Sequence, residues 1–435
     1  MYYANKYVAN NIVERTAMDK KLKLGHGNWV VGDQFWDRER EIERFTELIE
    51  EGAHILLVAP RRIGKTSLMR EAARRINGRY ICLQVDLQKS QSPADALVEL
   101  SVTTRPYKKI WERTFDIFRN VVCQVMGTIE SLKIDDLTLT LRNGLTSGDW
   151  SAKGDRLLSI LADSDKPVVI FFDEIAILVN RMLKGSDYKI TPERIREVDG
   201  FMSWLRENSI RHKGKLRIVL TGSIGIGPVL HQAGLSATLN TFSPFDLPPW
   251  DSETATGCLR ALANQYGMRF QEGADERIVE LLGSCIPHHV ETFFNAVYMN
   301  CKLSRSEVVT RDLVQEVYHT RMLGASGHAE LSHLEERLKM VLGPEAYPLA
   351  LELLTEAAVV GRLTIDAAVY LSEQYTFENL TSKDDLKQIF GIFEHDGYLQ
   401  KVGTEFIFVS HLLRDWWKAR FELYYKPVSQ RRDQR

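Results

Sequence analysis

The chain has 435 residues, 44% hydrophobic and 26% charged, with a formal net charge of −2. That length exceeds one typical core and asks for two to four packed units, while the composition is that of a folded soluble protein and excludes a disordered one. A near-neutral total supplies no general electrostatic pull toward nucleic acid, and no run approaches the roughly 18 apolar residues of a membrane-crossing helix.

The opening residues lack the apolar centre of a signal peptide. Cys82, Cys123, Cys258, Cys285 and Cys301 are scattered and make no C-x-x-C pair, which predicts free thiols in a reducing, cytoplasmic setting.

Residues 1–30 read as an N-terminal extension. Phe35-Trp36-Asp37-Arg38-Glu39 then opens a helix, with Asp37 placed to cap it and Ile42, Phe45, Leu48 and Ile49 on one face. The apolar run His54-Ile55-Leu56-Leu57-Val58 ends in a turn, after which Leu68, Met69, Ala72, Ala73 and Ile76 recur at helical spacing. Further unbroken apolar runs at 80–85, 168–172 and 216–221, with helical stretches between them, predict a parallel α/β sheet in a core over 31–248. Residues 106–161 read as an insertion, with a helix over 110–125 and a small hairpin over 137–141.

After Asp251 the strand signal stops. Helical patterns at 255–265, 275–282 and 289–300 predict a helical lid over 249–327. Four more, at 331–342, 347–358, 364–375 and 383–394, precede a hairpin of 398–402 and 406–409 around Gly403-Thr404-Glu405. Helices followed by a hairpin suggest a winged-helix-like domain over 328–425, leaving a polar tail at 426–435.

Ala59-Pro60-Arg61-Arg62-Ile63-Gly64-Lys65-Thr66 matches the phosphate-binding loop G-x-x-x-x-G-K-[ST] at every defined position but the first. Lying between a strand and a helix, its backbone N–H groups, on to Ser67, would converge on phosphate oxygens at the helix N-terminus. Lys65 would bridge the β- and γ-phosphates, and the Thr66 hydroxyl would complete the shell of Mg²⁺, an ion that takes few protein ligands. Ala59 in place of Gly matters only where the loop needs a positive φ, so the expectation is a slightly altered loop with binding kept.

The run 168–172 delivers Asp173-Glu174 to the C-terminal end of a buried strand, where ligands sit in open α/β sheets. Asp173 would hold Mg²⁺, and Glu174 would orient or deprotonate the water attacking the γ-phosphate. The other reading is that the two acids cap the following helix. Thr221 or Ser223, ending a third strand, would read the γ-phosphate or the attacking water, unless the segment is a plain turn. Arg206 is a candidate for stabilising the transferring phosphoryl group, against a place on a solvated helix face.

Taken together, F-W-D-R-E-R-E at 35–41, the phosphate loop, F-F-D-E at 171–174, L-T-G-S at 220–223 and H-L-L-R-D-W-W at 411–417 resemble archaeal-type ATPases. These belong to the STAND and origin-recognition side of the AAA+-like P-loop proteins, and the likeness runs over about 31–421. The resemblance implies a P-loop α/β core, a lid and a winged helix, with ATP and Mg²⁺ as cofactors. It implies Phe35 and Arg38 near the base and Pro287 touching adenine. It further implies a slowly hydrolysing switch that controls a protein partner in defence or signalling, with homo-oligomers common among related ATPases. Many such ATPases carry an arginine just after the third strand, where Thr221-Gly222-Ser223-Ile224-Gly225 has none. The alternative is an ATP-regulated DNA-binding protein, weakened because the helix at 383–390 carries as many acids as bases.

Overall fold

Residues 22–122, 149–375 and 382–432 are described by the computed structural model. The hairpin expected at 137–141 lies outside them. The described residues fall into two units, one within Glu39–Val58 and Ala72–Leu247 and another within 22–38, Ala59–Glu71 and 248–432.

The first unit holds the sheet. Helix α1 (Glu39–Glu50) buries Ile42, Phe45 and Ile49 and leads into β1 (His54–Val58). Helix α2 (Lys65–Ile76) enters this unit at Ala72, followed by β2 (Ile81–Asp86) and α3 (Pro93–Thr103). Ser92 and Asp95 close a capping box at the start of α3, and Pro93 occupies a position where a missing N–H costs nothing. Next come α4 (Lys108–Val122), α5 (Trp150–Ala162), β3 (Val168–Asp173), α6 (Ile175–Lys184), α7 (Pro192–Arg211), β4 (Leu216–Thr221), α8 (Ile226–His231) and β5 (Phe242–Asp246).

All five strands are parallel, in the order β2-β3-β4-β1-β5. Val168, Val169, Ile170 and Phe171 are fully buried, as are Ile218, Val219 and Leu220, as expected of central strands covered on both faces. Two polar side chains that enter this core are paired: Arg217 Nε donates to the Ile49 carbonyl at 3.0 Å, and His54 Nδ1 accepts from the Ile218 N–H at 3.1 Å. Phe45 meets Phe245 edge to face at 5.2 Å between centroids, which fastens α1 to β5.

Four of the five strands fall on the predicted runs. The fifth, β5, went unread because Phe242-Ser243-Pro244-Phe245-Asp246 carries a proline. It pairs with β1 alone, and an edge strand tolerates a residue without an N–H.

The second unit begins its main run with α9 (Ser252–Gln265), β6 (Arg269–Phe270), α10 (Ala274–Leu282), α11 (Pro287–Ser304), β7 (Val308–Val309) and α12 (Arg311–Val317). Then comes α13 (Ala325–Val360), which is broken at Gly343, with φ 78 and ψ 176, immediately before Pro344. That backbone is open to glycine, and the proline cannot continue the preceding turn, so the two helices read from the sequence are separate as expected. They are followed by β8 (Leu363–Thr364), α14 (Ile365–Ser372), α15 (Ser382–His395), β9 (Leu399–Val402), β10 (Glu405–Phe408) and α16 (His411–Phe421).

Strands β8, β10 and β9 form an antiparallel sheet in that order. Trp416 and Trp417 are wholly buried, their ring N–H groups donating to His328 Nδ1 at 3.1 Å and the Thr355 hydroxyl at 3.3 Å. The polar tail at 426–435 includes α17 (Val428–Arg432), where Val428 is buried and its N–H donates to the carboxylate of Glu356. Among the described residues no helix is long and apolar enough to cross a membrane.

Candidate nucleotide-binding site

Strand β1 ends at Val58 and the chain runs directly into the loop 59–64, with α2 starting at Lys65. Within the loop the left-handed positions are Arg62, at φ 68, and Gly64, at φ 100. Ala59 is outside that region, so the position where the motif expects glycine asks for no positive φ and alanine fits without strain. The Lys65 side chain is buried, and its ammonium donates to the carbonyls of Ala59 and Pro60, both at 2.8 Å. The cation is thus held over the curve of its own loop.

The segment read as an extension is laid along this loop and helix. The Val30 N–H donates to the Ser67 hydroxyl at 3.1 Å, the Gly32 N–H donates to the buried Glu71 carboxylate at 2.8 Å, and the Arg70 guanidinium stacks over Trp29 at 4.0 Å. Phe35 and Arg38 are both buried. Between them, Trp36 donates to the Thr254 carbonyl and Asp37 accepts from the Thr254 hydroxyl at the first turn of α9. Asp37 therefore spends its carboxylate on α9, and α1 starts only at Glu39.

Other side chains of this unit close around Arg62. Leu24, His26, Gly27, Arg62, His288 and Glu291 line a cavity of about 280 Å³, completed by Thr292 and Asn295. Gly27 has φ 78, and a Cβ there would stand 3.3 Å from Arg62 Nη1. Glu291 Oε2 accepts from the Gly25 N–H at 3.1 Å. Burial pushes its carboxyl above the usual range, partly offset by that N–H and by His26. Pro287 opens α11, and its neighbour His288 is the residue that reaches the cavity. No motif announced His26, Gly27 or Glu291; their partnership joins residues more than 250 positions apart in the chain.

The acidic pair lies in the sheet unit. Asp173 ends β3 opposite Asp86 of β2, and its Oδ1 accepts from the Glu174 N–H at 3.0 Å. Glu174 occupies the N-cap position of α6 with a left-handed backbone, φ 60, but its side chain does not cap the helix. Instead Oε2 accepts from the Ser223 N–H at 2.9 Å and from the Ser223 hydroxyl at 2.6 Å. Gly222 permits this approach, since a Cβ there would be 2.8 Å from Ala176 Cβ. Of the two candidates at the end of β4, Ser223 is thus the partner of Glu174, while the Thr221 hydroxyl donates to the Leu57 carbonyl at 3.3 Å. Arg206 is exposed on α7.

No cluster of three or more His, Cys, Asp or Glu side chains able to hold a metal occurs among the described residues.

No known protein-family model matches the sequence, and no curated protein matches it. Solved structures do match in fold. A Walker-type ATPase of Pyrococcus abyssi superposes with a TM-score of 0.58 at 17% identity, covering 92% of this chain and 99% of that one. The fold is that of a P-loop ATPase. The ORC2 protein of Aeropyrum pernix, solved as ADPNP–ADP complexes, is similar to this P-loop ATPase fold with a TM-score of 0.52 at 12% identity, covering 94% and 98%. The parallel sheet, in four of its five strands, its flanking helices and the helical C-terminal region are the parts the sequence predicted.

Proposed function

We propose that the chain binds ATP with Mg²⁺ and hydrolyses it slowly, as a switch that controls a protein partner. The observation that carries this reading is the phosphate loop itself. Its left-handed turns at Arg62 and Gly64 open directly into α2, and a buried Lys65 ammonium rests on the loop's own carbonyls. Loop N–H groups and a helix N-terminus concentrate partial positive charge, so a polyphosphate is the ligand that compensates them.

In this reading Lys65 neutralises the β- and γ-phosphates, Thr66 and Asp173 hold Mg²⁺, and Glu174 takes or orients the proton of the attacking water. The nucleotide complexes of the Aeropyrum protein support a nucleotide in a fold of this kind. The helix–strand–helix–helix–hairpin order from α13 to β10 supports the winged-helix reading of the C-terminal region. The domain limits at 31–248, 249–327 and 328–425, a cytoplasmic setting and a STAND-like signalling role belong to the same proposal, with homo-oligomerisation as a property to measure.

The test is Mg²⁺-dependent ATP turnover by the full chain with and without duplex DNA, beside Lys65→Ala and Glu174→Gln. The switch reading expects slow turnover, lost binding in the first variant, and in the second retained binding with turnover lowered about 10²-fold or more. Stimulation by DNA would favour an ATP-regulated DNA-binding protein, and absence of both binding and turnover would sink the nucleotide reading.

A further inference from the structure

The loop motif explains a triphosphate and says nothing about the base. The cavity beside it carries that information. Arg62 belongs to both the phosphate loop and the cavity wall, so a ligand with its phosphates on the loop has this space within reach of its other end. At about 280 Å³ the cavity holds a fused bicyclic ring and not a whole nucleotide. Gly27 suits this wall, since its φ of 78 is left-handed and a Cβ there would stand 3.3 Å from Arg62 Nη1.

Resting on the ATP reading, we infer that Glu291 is a specificity-determining residue, accepting a hydrogen bond from the exocyclic 6-amino group of the purine and excluding 6-oxo purines. The argument is one of donor and acceptor count. Glu291 Oε2 is fixed by the Gly25 N–H, and Oε1 carries no hydrogen bond among the described residues. In its ionised form the carboxylate only accepts, so it welcomes an amino group and opposes a carbonyl oxygen. In a half-enclosed site such an opposition leaves two acceptors face to face, a mismatch by which hydrogen-bonding sites discriminate. Thr292 and Asn295, on the same helix, add a hydroxyl and a carboxamide to the cavity wall as donors for ring nitrogens.

The experiment compares ATP with ITP, which differs at this edge in carrying oxygen at C6 for the amino group. Dissociation constants with Mg²⁺ are measured on the full chain by competition against a fluorescent ATP analogue. Wild type is expected to prefer ATP by about 10-fold or more, the ratio that one lost charged hydrogen bond produces. Glu291→Gln keeps an oxygen for the Gly25 N–H and gains an NH₂ that can donate to O6, so the preference should fall to within about 3-fold or reverse, chiefly through tighter ITP. Glu291→Met, polar on neither side, should bring the two nucleotides to within about 2-fold; it serves should the Gln variant fold poorly. Equal binding of ATP and ITP by wild type, or an unchanged ratio in a folded Glu291→Gln variant, would overturn the inference while leaving ATP binding intact. If wild type binds neither nucleotide, the underlying nucleotide reading fails, and this inference fails with it.

Discussion

The carboxylate of Glu174 is bound twice by Ser223, once through the backbone N–H at 2.9 Å and once through the hydroxyl at 2.6 Å. Both donors engage the same oxygen, so this pair holds in place the side chain of the residue proposed to activate the nucleophile. Removing one hydrogen bond to a charged group is worth about 1.5 kcal/mol. Ser223→Ala should therefore raise single-turnover ATP hydrolysis by up to about 10-fold, with nucleotide affinity changed less than about 2-fold. A fall in rate would show that Ser223 positions Glu174 productively.

Gly397 meets the phosphate loop inside the second unit. It has φ 78, and a Cβ there would lie 2.9 Å from Pro60 Cγ. Gly397→Ala forces a left-handed alanine, costing about 1–2 kcal/mol, and pushes on a residue whose carbonyl holds Lys65. Both the thermal midpoint and the ATP dissociation constant should worsen. A change confined to stability would mean that Pro60 yields without disturbing the loop.

His289 is buried on α11, and burial, with smaller contributions from His288 and Arg62, lowers its pKa to about 3 from the ordinary 6.5. The unfolded chain binds the proton that the folded one refuses. Its stabilising neutrality is complete above pH 6.5 and is lost as pH falls toward 3. Between pH 6 and 4 the unfolding free energy should drop by up to about 1.4 kcal/mol per pH unit from this group. His333, lowered likewise to about 3 chiefly by burial, adds in the same direction. Denaturant titrations of His289→Phe should show a shallower acid limb; a profile parallel to wild type would remove His289 as a cause.

Glu356 anchors the chain's end to α13. It is 4% exposed and accepts from the Tyr425 hydroxyl at 2.8 Å and from the Val428 N–H at 3.2 Å. Glu356→Ala strands a buried N–H and a half-buried phenol, a loss of about 2–4 kcal/mol. Faster proteolysis near residues 425–432 is the readout, and unchanged cleavage would show that the segment is held by other contacts.

What was legible in the sequence was what is local. Lys65 and Thr66 are recognisable because the loop that uses them is one continuous stretch between a strand and a helix, and Asp173-Glu174 because a buried apolar run delivers them. Strand β5 was illegible because Phe242-Ser243-Pro244-Phe245-Asp246 is interrupted by polar residues and a proline, which an edge strand tolerates and an apolar-run pattern does not describe. Glu174 and Ser223 were each candidates, yet their bond depends on Gly222 letting β4 approach α6, which only packing decides. Residues 1–30 were read as an extension, and of these Val30 has a hydrogen bond that goes to Ser67, far along the chain.

Pro244 has a consequence for assembly of the sheet. A proline in a border strand is tolerated where its absent N–H faces away from the ladder, which puts the gap on the open side of β5. A strand arriving from another molecule finds a donor missing in the middle of a five-residue edge and cannot complete a register there. The residue that hid β5 from a pattern reading thus guards the nascent sheet against templated growth during folding, when parallel strands wait longest for their partners.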